Sequence, residues 1–157
     1  MKDKAHVIVL GMGLLNLAAL PLWRLPVANA ATQAVGYALL GLGLALNLLS
    51  FLALKHAASG HIEPIGDLVS SGIYARLRHP MYVSFAIIML ALDLTFGSVP
   101  GTLVTLLVFI PSLVWRARLE ERTLARRFGK AWQAYARRVP SLLLWDLAKG
   151  GGKRKDG

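Results

Sequence analysis

There is no cysteine among the 157 residues. That excludes a disulfide framework, a thiolate metal site and a cysteine nucleophile. Charge is scarce as well: Asp, Glu, Lys and Arg make up 17% of the chain, against about 25% in a typical soluble domain. Acids are the scarcer sign, with 8 Asp and Glu against 18 Lys and Arg. No cleavable leader pattern is visible, so the first apolar run is expected to stay as an anchor. What the chain has in plenty is apolar surface. Hydrophobic residues reach 55% and the mean hydropathy is +0.53. Lipid is therefore the favoured solvent, and the length fits a single domain over residues 1–157.

A membrane-spanning helix needs roughly 20 mostly apolar residues. The apolar runs predict about four, over residues 6–23, 31–54, 81–96 and 99–115. The last two form a helical hairpin, because Gly97, Pro100 and Gly101 break the chain between them. The expected fold is an all-α integral membrane protein with a C-terminal cytoplasmic amphipathic helix. Lys and Arg placement orients it. All but one of the 18 fall before the first run, in the second loop (Lys55, Arg76, Arg78) or after the hairpin. Only Arg24 lies elsewhere. Both termini are thus expected in the cytoplasm, in a multi-pass protein that sits in the cell inner membrane if the source is bacterial. The net charge of +10 reads as a topology signal, not as a nucleic-acid surface.

Gly11, Gly13, Gly36, Gly41 and Gly43 stud the early runs and are read as helix-packing positions, which permits a homodimer without requiring one. Gly41-Leu42-Gly43 is no nucleotide loop, because no strand precedes it. Asn16, Asn47 and Asp93 are polar residues inside spans. Asp93 has two readings, a cap or interfacial contact and a buried functional acid. Residues 150–157 read as a disordered basic tail.

Two polar stretches remain, residues 55–80 and 116–140, and both fall on the cytoplasmic side. The first ends in Tyr74, Arg76, Arg78, His79, Pro80, Met81 and Tyr82. The arginines and His79 suit an anion, and the tyrosines suit a flat ring or a cation. The same residues also suit a positive flank with interfacial tyrosines. In the second stretch Leu124, Phe128, Ala131, Trp132, Tyr135 and Val139 recur at helical spacing. Arg118, Arg122, Arg126 and Lys130 line the opposite face. At roughly 100° per residue, Glu120 and Glu121 fall about 40° and 60° to either side of Leu124. Both carboxylates lie on the apolar face, where an acid wants a cationic partner. Arg116, one turn earlier, can pair with Glu120. A structural ion pair with the loop arginines and a ligand of mixed character both satisfy this pattern. S-adenosylmethionine is such a ligand, with a cationic sulfonium, a carboxylate and a flat adenine. No Rossmann fingerprint is present.

At these residues the chain resembles the isoprenylcysteine carboxyl methyltransferase family and, more loosely, the membrane phospholipid methyltransferases. The matching text is Leu68-Val69-Ser70-Ser71-Gly72-Ile73-Tyr74 and Arg78-His79-Pro80-Met81-Tyr82. After the hairpin follow Arg116, Glu120-Glu121, Leu124, Phe128-Gly129, Tyr135 and Val139-Pro140. The resemblance covers residues 66–140. It implies a helical membrane enzyme that uses S-adenosylmethionine and no metal. It places Leu68, Val69, Tyr74, His79, Pro80, Tyr82 and Glu120 at the cofactor, with Glu121 beside them. Gly66, Asp67 and Met81 stand at neighbouring positions and contribute mainly backbone contacts. Arg116 matches the substrate-contacting arginine, so Arg116 and Glu120 are the expected catalytic pair. The implied reaction is methyl transfer to a lipophilic or lipidated substrate within membrane lipid, most simply O-methylation of an isoprenoid-type acid or isoprenylcysteine. Three other readings stay open: a phospholipid N-methyltransferase, a sterol-type reductase using a nicotinamide cofactor, and a membrane adaptor whose basic helix binds anionic lipid.

Overall fold

A computed structural model describes residues 2–19, 29–59 and 68–142. Gly66, Asp67, Arg24 and the tail at 150–157 lie outside them. The described residues form helices and no strand. Helix α1 covers Lys2–Ala19, α2 Ala30–Ser59 and α3 Pro80–Phe96. Helix α4 covers Val99–Val104, and after a π-helical turn at Thr105–Phe109, α5 covers Ile110–Arg138. A short 3-10 turn at Gly72–Ala75 precedes α3.

Among the described residues, two helices are long and apolar enough to cross a membrane: Ala30–Lys55, and the run Val99–Arg138. Helix α3 is mostly apolar but only 17 residues long. Exposure supports lipid as the surroundings. On α2 the side chains of Leu44, Leu48 and Phe51 are each more than half exposed, which water would penalise in a contiguous patch.

Asn29 starts α2, its side chain accepting the Thr32 backbone N–H at 2.9 Å. Pro80 starts α3, where its missing N–H costs nothing. The two helices pack closely. A methyl group at Gly43 would approach Ile88 Cγ1 to 2.8 Å, so only glycine fits there. Asn47 adds a hydrogen bond to Ser84 Oγ at 2.9 Å. The packing role holds at Gly36 and Gly43, while Gly11 and Gly41 have nothing within 4 Å.

At the hairpin end, three helices meet on one buried polar junction. Asn16 of α1 donates to the Gly101 carbonyl at 3.0 Å and to Thr105 Oγ1. Thr105 in turn donates to Asp93 Oδ2 at 2.6 Å. Asp93 is therefore neither a cap nor an interfacial group; its side chain is an inter-helix tie.

The fourth predicted span and the amphipathic helix are one element. Pro111 would break it, since it lacks the N–H that Leu107 would accept and its ring crowds that carbonyl. The chain instead widens into the π turn just before it. Between Pro111 and Gly129 no residue breaks a helix. From Val99 to the residue before Gly129 the run is about 45 Å long, half as long again as the roughly 30 Å of a bilayer core. Its apolar part ends at Trp115, so the charged half from Arg116 onward projects beyond that core.

Candidate functional site

The projecting half of α5 folds against the loop before α3. Gly129 makes this possible. It adopts φ 50°, ψ −117° inside the helix, a conformation that side chains disfavour. Beyond the kink, Trp132, Tyr135 and Val139 form a buried cluster with Leu68, Leu124 and Phe128 packed against it. The Tyr135 hydroxyl donates to the Tyr74 carbonyl at 2.7 Å. Past the helix end, the Pro140 carbonyl accepts the Arg78 backbone N–H at 2.9 Å. The 3-10 turn and the Arg78-His79-Pro80 corner are thus strapped to α5 at both ends.

The two acids face this corner. Glu121 Oε1 accepts from Arg78 Nη1 at 2.7 Å and from Ser141 Oγ at 2.7 Å. His79 Nε2 lies 3.2 Å from the same oxygen. Glu120 Oε2 accepts the Tyr82 hydroxyl at 2.9 Å, and His79 Nδ1 is 3.9 Å away. His79 is buried and stacks on Tyr82, with ring centroids 5.5 Å apart. One imidazole therefore sits between two carboxylates, with an aromatic ring fixing its plane.

Burial pushes the Glu121 carboxyl up, but hydrogen bonds from His79 and Ser141 and the Arg78 charge outweigh it, leaving it below its ordinary value. Burial first, then the Glu120 charge, pushes the Tyr74 phenol up to about 12. Burial alone does the same for Tyr135, against the Arg78 charge, to about 12. Both phenols keep their protons at neutral pH, and Tyr135 uses its own in the bond to the Tyr74 carbonyl.

Beside the carboxylates lies a cavity of about 210 Å³. Leu54, Leu68, Val69, Leu124 and Phe128 supply an apolar wall, Tyr74, Trp132 and Tyr135 an aromatic one, and Arg78, His79, Glu120 and Arg127 the polar groups. The Arg78 guanidinium stands 5.8 Å from the Trp132 ring centroid. Such a lining offers a cation one carboxylate, an anion two guanidinium groups, and a flat ring several partners. Among the described residues, no group of three His, Asp or Glu is placed to hold a metal.

Of the site residues expected from sequence, Leu68, Val69, Tyr74, His79 and Glu120 line the cavity. Tyr82 and Glu121 hold its polar wall from behind. Pro80 is buried at the start of α3. Met81 does not line the cavity, and its carbonyl is taken by the Ser84 hydroxyl at 2.7 Å. Arg116 is half-buried one turn before Glu120, also outside the lining. The loop-to-helix ion pair is realised, as Arg78 with Glu121.

Sequence reasoning missed Leu54, Arg127 and Ser141 as site residues, and read Trp132, Tyr135 and Phe128 only as a packing face. Arg127 did carry a signal: at roughly 100° per residue it falls about 60° from Leu124, off the basic face. Leu54 and Ser141 carried none.

Fold and site together define a helical membrane protein with a cavity of mixed apolar, aromatic and charged lining at one end. A family model described as phospholipid methyltransferase matches residues 31–131. The chain belongs to that family. Among curated proteins, a protein-S-isoprenylcysteine O-methyltransferase of Schizosaccharomyces pombe is 39% identical over 74 residues, 47% of this chain and 31% of that protein. A Delta(14)-sterol reductase of Mus musculus is 36% identical over 77 residues, 47% of this chain and 18% of that protein. The chain thus spans less than a third of the length of either relative. No solved structure matches it. The resemblance drawn from Leu68–Tyr74 and Arg78–Tyr82 is borne out by the family and by the yeast relative.

Proposed function

We propose that this chain is an integral membrane methyltransferase that uses S-adenosylmethionine to methylate a lipophilic substrate, with an isoprenylcysteine or isoprenoid carboxylate as acceptor. The observation that carries this reading is the Glu120 carboxylate, held by Tyr82 and beside His79, in the wall of an aromatic cavity. In this reading the chain is one domain with about four spans, both termini are cytoplasmic, and residues 55–80 and 116–140 form the reaction site.

The lining fits the cofactor by chemistry. Glu120 meets a cation, Arg78 and Arg127 meet a carboxylate, and Tyr74, Trp132 and Phe128 meet a flat base. Arg78 Nε is buried with no partner among the described residues, which leaves that guanidinium under-satisfied beside the cavity. At about 210 Å³ the space is smaller than the roughly 300–1,000 Å³ of whole-ligand sites, so it takes in one part of the cofactor. When bound, the cofactor supplies a methyl group on a sulfonium, whose transfer to a carboxylate oxygen leaves a neutral thioether.

The protein's own work is alignment and exclusion of water. Glu120 orients the cationic centre. Tyr82 and His79 hold the Glu120 carboxylate in place. Glu121 fixes Arg78 and His79 from behind. Arg116, on the same helix one turn earlier, holds the anionic substrate head. Leu68 and Val69 cover the ring, with Gly66, Asp67 and Met81 contributing through the backbone. A carboxylate acceptor is already nucleophilic, so no general base is required.

Titration of the purified protein with S-adenosylmethionine tests the reading. Saturable binding is expected, at least tenfold weaker in Glu120→Ala, on the order of the 1.4 kcal/mol that one decade represents. Absence of binding, or a Glu120→Ala chain that binds like wild type, overturns it. Two comparisons favour other acceptors. The family description points to a phospholipid amine, and labelled methyl transfer to membrane lipids separates amine from carboxylate. The mouse relative's name points to reduction of a sterol, and displacement of S-adenosylmethionine by a nicotinamide cofactor would favour that.

A further inference from the structure

The site accounts for one face of α5 and leaves the other unused. Leu113 and Ala117 are buried, and with Glu120 and Leu124 they mark the inward line. On the opposite side Trp115, Arg118, Arg122 and Arg126 fall within about 80° of one another at roughly 100° per residue, and all four are exposed. The line is continuous with the lipid-facing one below it, where Leu107 is 71% exposed and Trp115 43% exposed.

Height along the helix gives the line its meaning. An exposed tryptophan after an apolar run marks the interface between acyl chains and headgroups. At 1.5 Å per residue, Arg118 lies about 5 Å and Arg122 about 10 Å beyond Trp115. The headgroup layer adds about 5–7 Å on each side of the core, and charges act over about 8 Å more at physiological salt. Arg118 is therefore at phosphate level, Arg122 follows within reach of the surface potential, and Arg126, about 16 Å beyond Trp115, stands at its outer edge. Guanidinium forks match phosphate oxygens better than ammonium groups do.

We propose that this outward stripe of α5 binds the phosphates of anionic lipid headgroups in the leaflet from which the helix emerges. The lipid thereby sets the pose of the same helix that presents Glu120 and Glu121 inward. The inference rests on the membrane reading and not on the cofactor. A nucleic acid is the poorer occupant, because the stripe begins inside the headgroup layer.

Native mass spectrometry of the full chain, eluted from micelles doped with equal phosphatidylglycerol and phosphatidylcholine, tests the stripe without involving methyl transfer. Wild type is expected to retain phosphatidylglycerol preferentially, with roughly fivefold preference per arginine at the headgroup level and a preference that falls as salt rises. The triple variant Arg118→Gln/Arg122→Gln/Arg126→Gln is expected to lose it, the triple lysine variant to keep most of it, and Arg137→Gln/Arg138→Gln to leave it unchanged. Arg122→Gln alone, a milder change to membrane insertion, is expected to show a smaller loss. Equal retention of both lipids by wild type overturns the proposal. So does undiminished preference in the triple glutamine variant, or displacement of the lipid by duplex DNA.

Discussion

Two polar clusters tie this apolar chain together, and they differ in everything except their residue economy. At the hairpin end, Asn16, Thr105 and Asp93 are wholly buried, at 0%, 0% and 1% exposure, and join α1, α3 and the π turn with no charged partner. At the α5 end, Arg78, His79, Glu120 and Glu121 join the loop to the helix with charges of both signs. There the Glu120 side chain is 41% exposed beside a cavity. The first cluster has spent its donors: both Asn16 amide hydrogens and the Thr105 hydroxyl are used. The second keeps one carboxylate edge and part of the Arg78 guanidinium toward the cavity. A dry polar cluster in an apolar protein fastens helices; a half-wet one beside a cavity can also receive a ligand.

The largest test of this contrast is Glu121→Ala. It strands the Arg78 guanidinium, 13% exposed in the side chain, without its carboxylate. Breaking a buried pair costs about 3–5 kcal/mol, and partial exposure here reduces that to about 2–3 kcal/mol. Unfolding midpoints in mixed micelles should fall, and cofactor affinity should fall with them. Next comes Gly101→Ala at the other cluster. Its new methyl would sit 2.3 Å from Asp93 Oδ1, an overpacking that costs about 1–3 kcal/mol. Stability should drop while the folded fraction binds cofactor as tightly as wild type. If affinity drops equally in both variants, the two ends are coupled and the contrast fails.

A smaller effect is expected from Tyr135→Phe. The ring stays in its cluster, but the bond to the Tyr74 carbonyl is lost, for about 1 kcal/mol. Thermal unfolding measures it directly. The smallest effect is with pH. Glu121 is depressed in the folded state, so its contribution is complete above its ordinary value of 4.5 and is lost as pH falls through the lower folded value. The stability gap between wild type and Glu121→Gln should therefore be constant near neutrality and close only in acid. A gap that closes near neutrality instead would remove Glu121 from that role.

Much of the protein was legible in the chain because it is local. Apolar run length marks α2 and the α4–α5 run, Pro80 marks the start of α3, and helical spacing puts Glu120 and Glu121 on the apolar face. Local spacing did not tell the two acids apart, since they straddle Leu124 almost evenly. Which one meets Tyr82 and which meets Arg78 is a matter of how α5 rotates against the loop. Run length likewise hid the continuity of the fourth span with the amphipathic helix, because hydropathy changes sharply at Trp115 while helix propensity does not.

By itself the sequence determined that this is a helical membrane chain with its cations set between and after its apolar runs, since hydropathy and charge placement act residue by residue. Tertiary structure alone decided where the cavity is. Leu54, Arg127 and Ser141 join the site across long separations in the chain. They do so because the Gly129 kink and the Arg78–Pro140 strap fold the end of α5 back onto the loop.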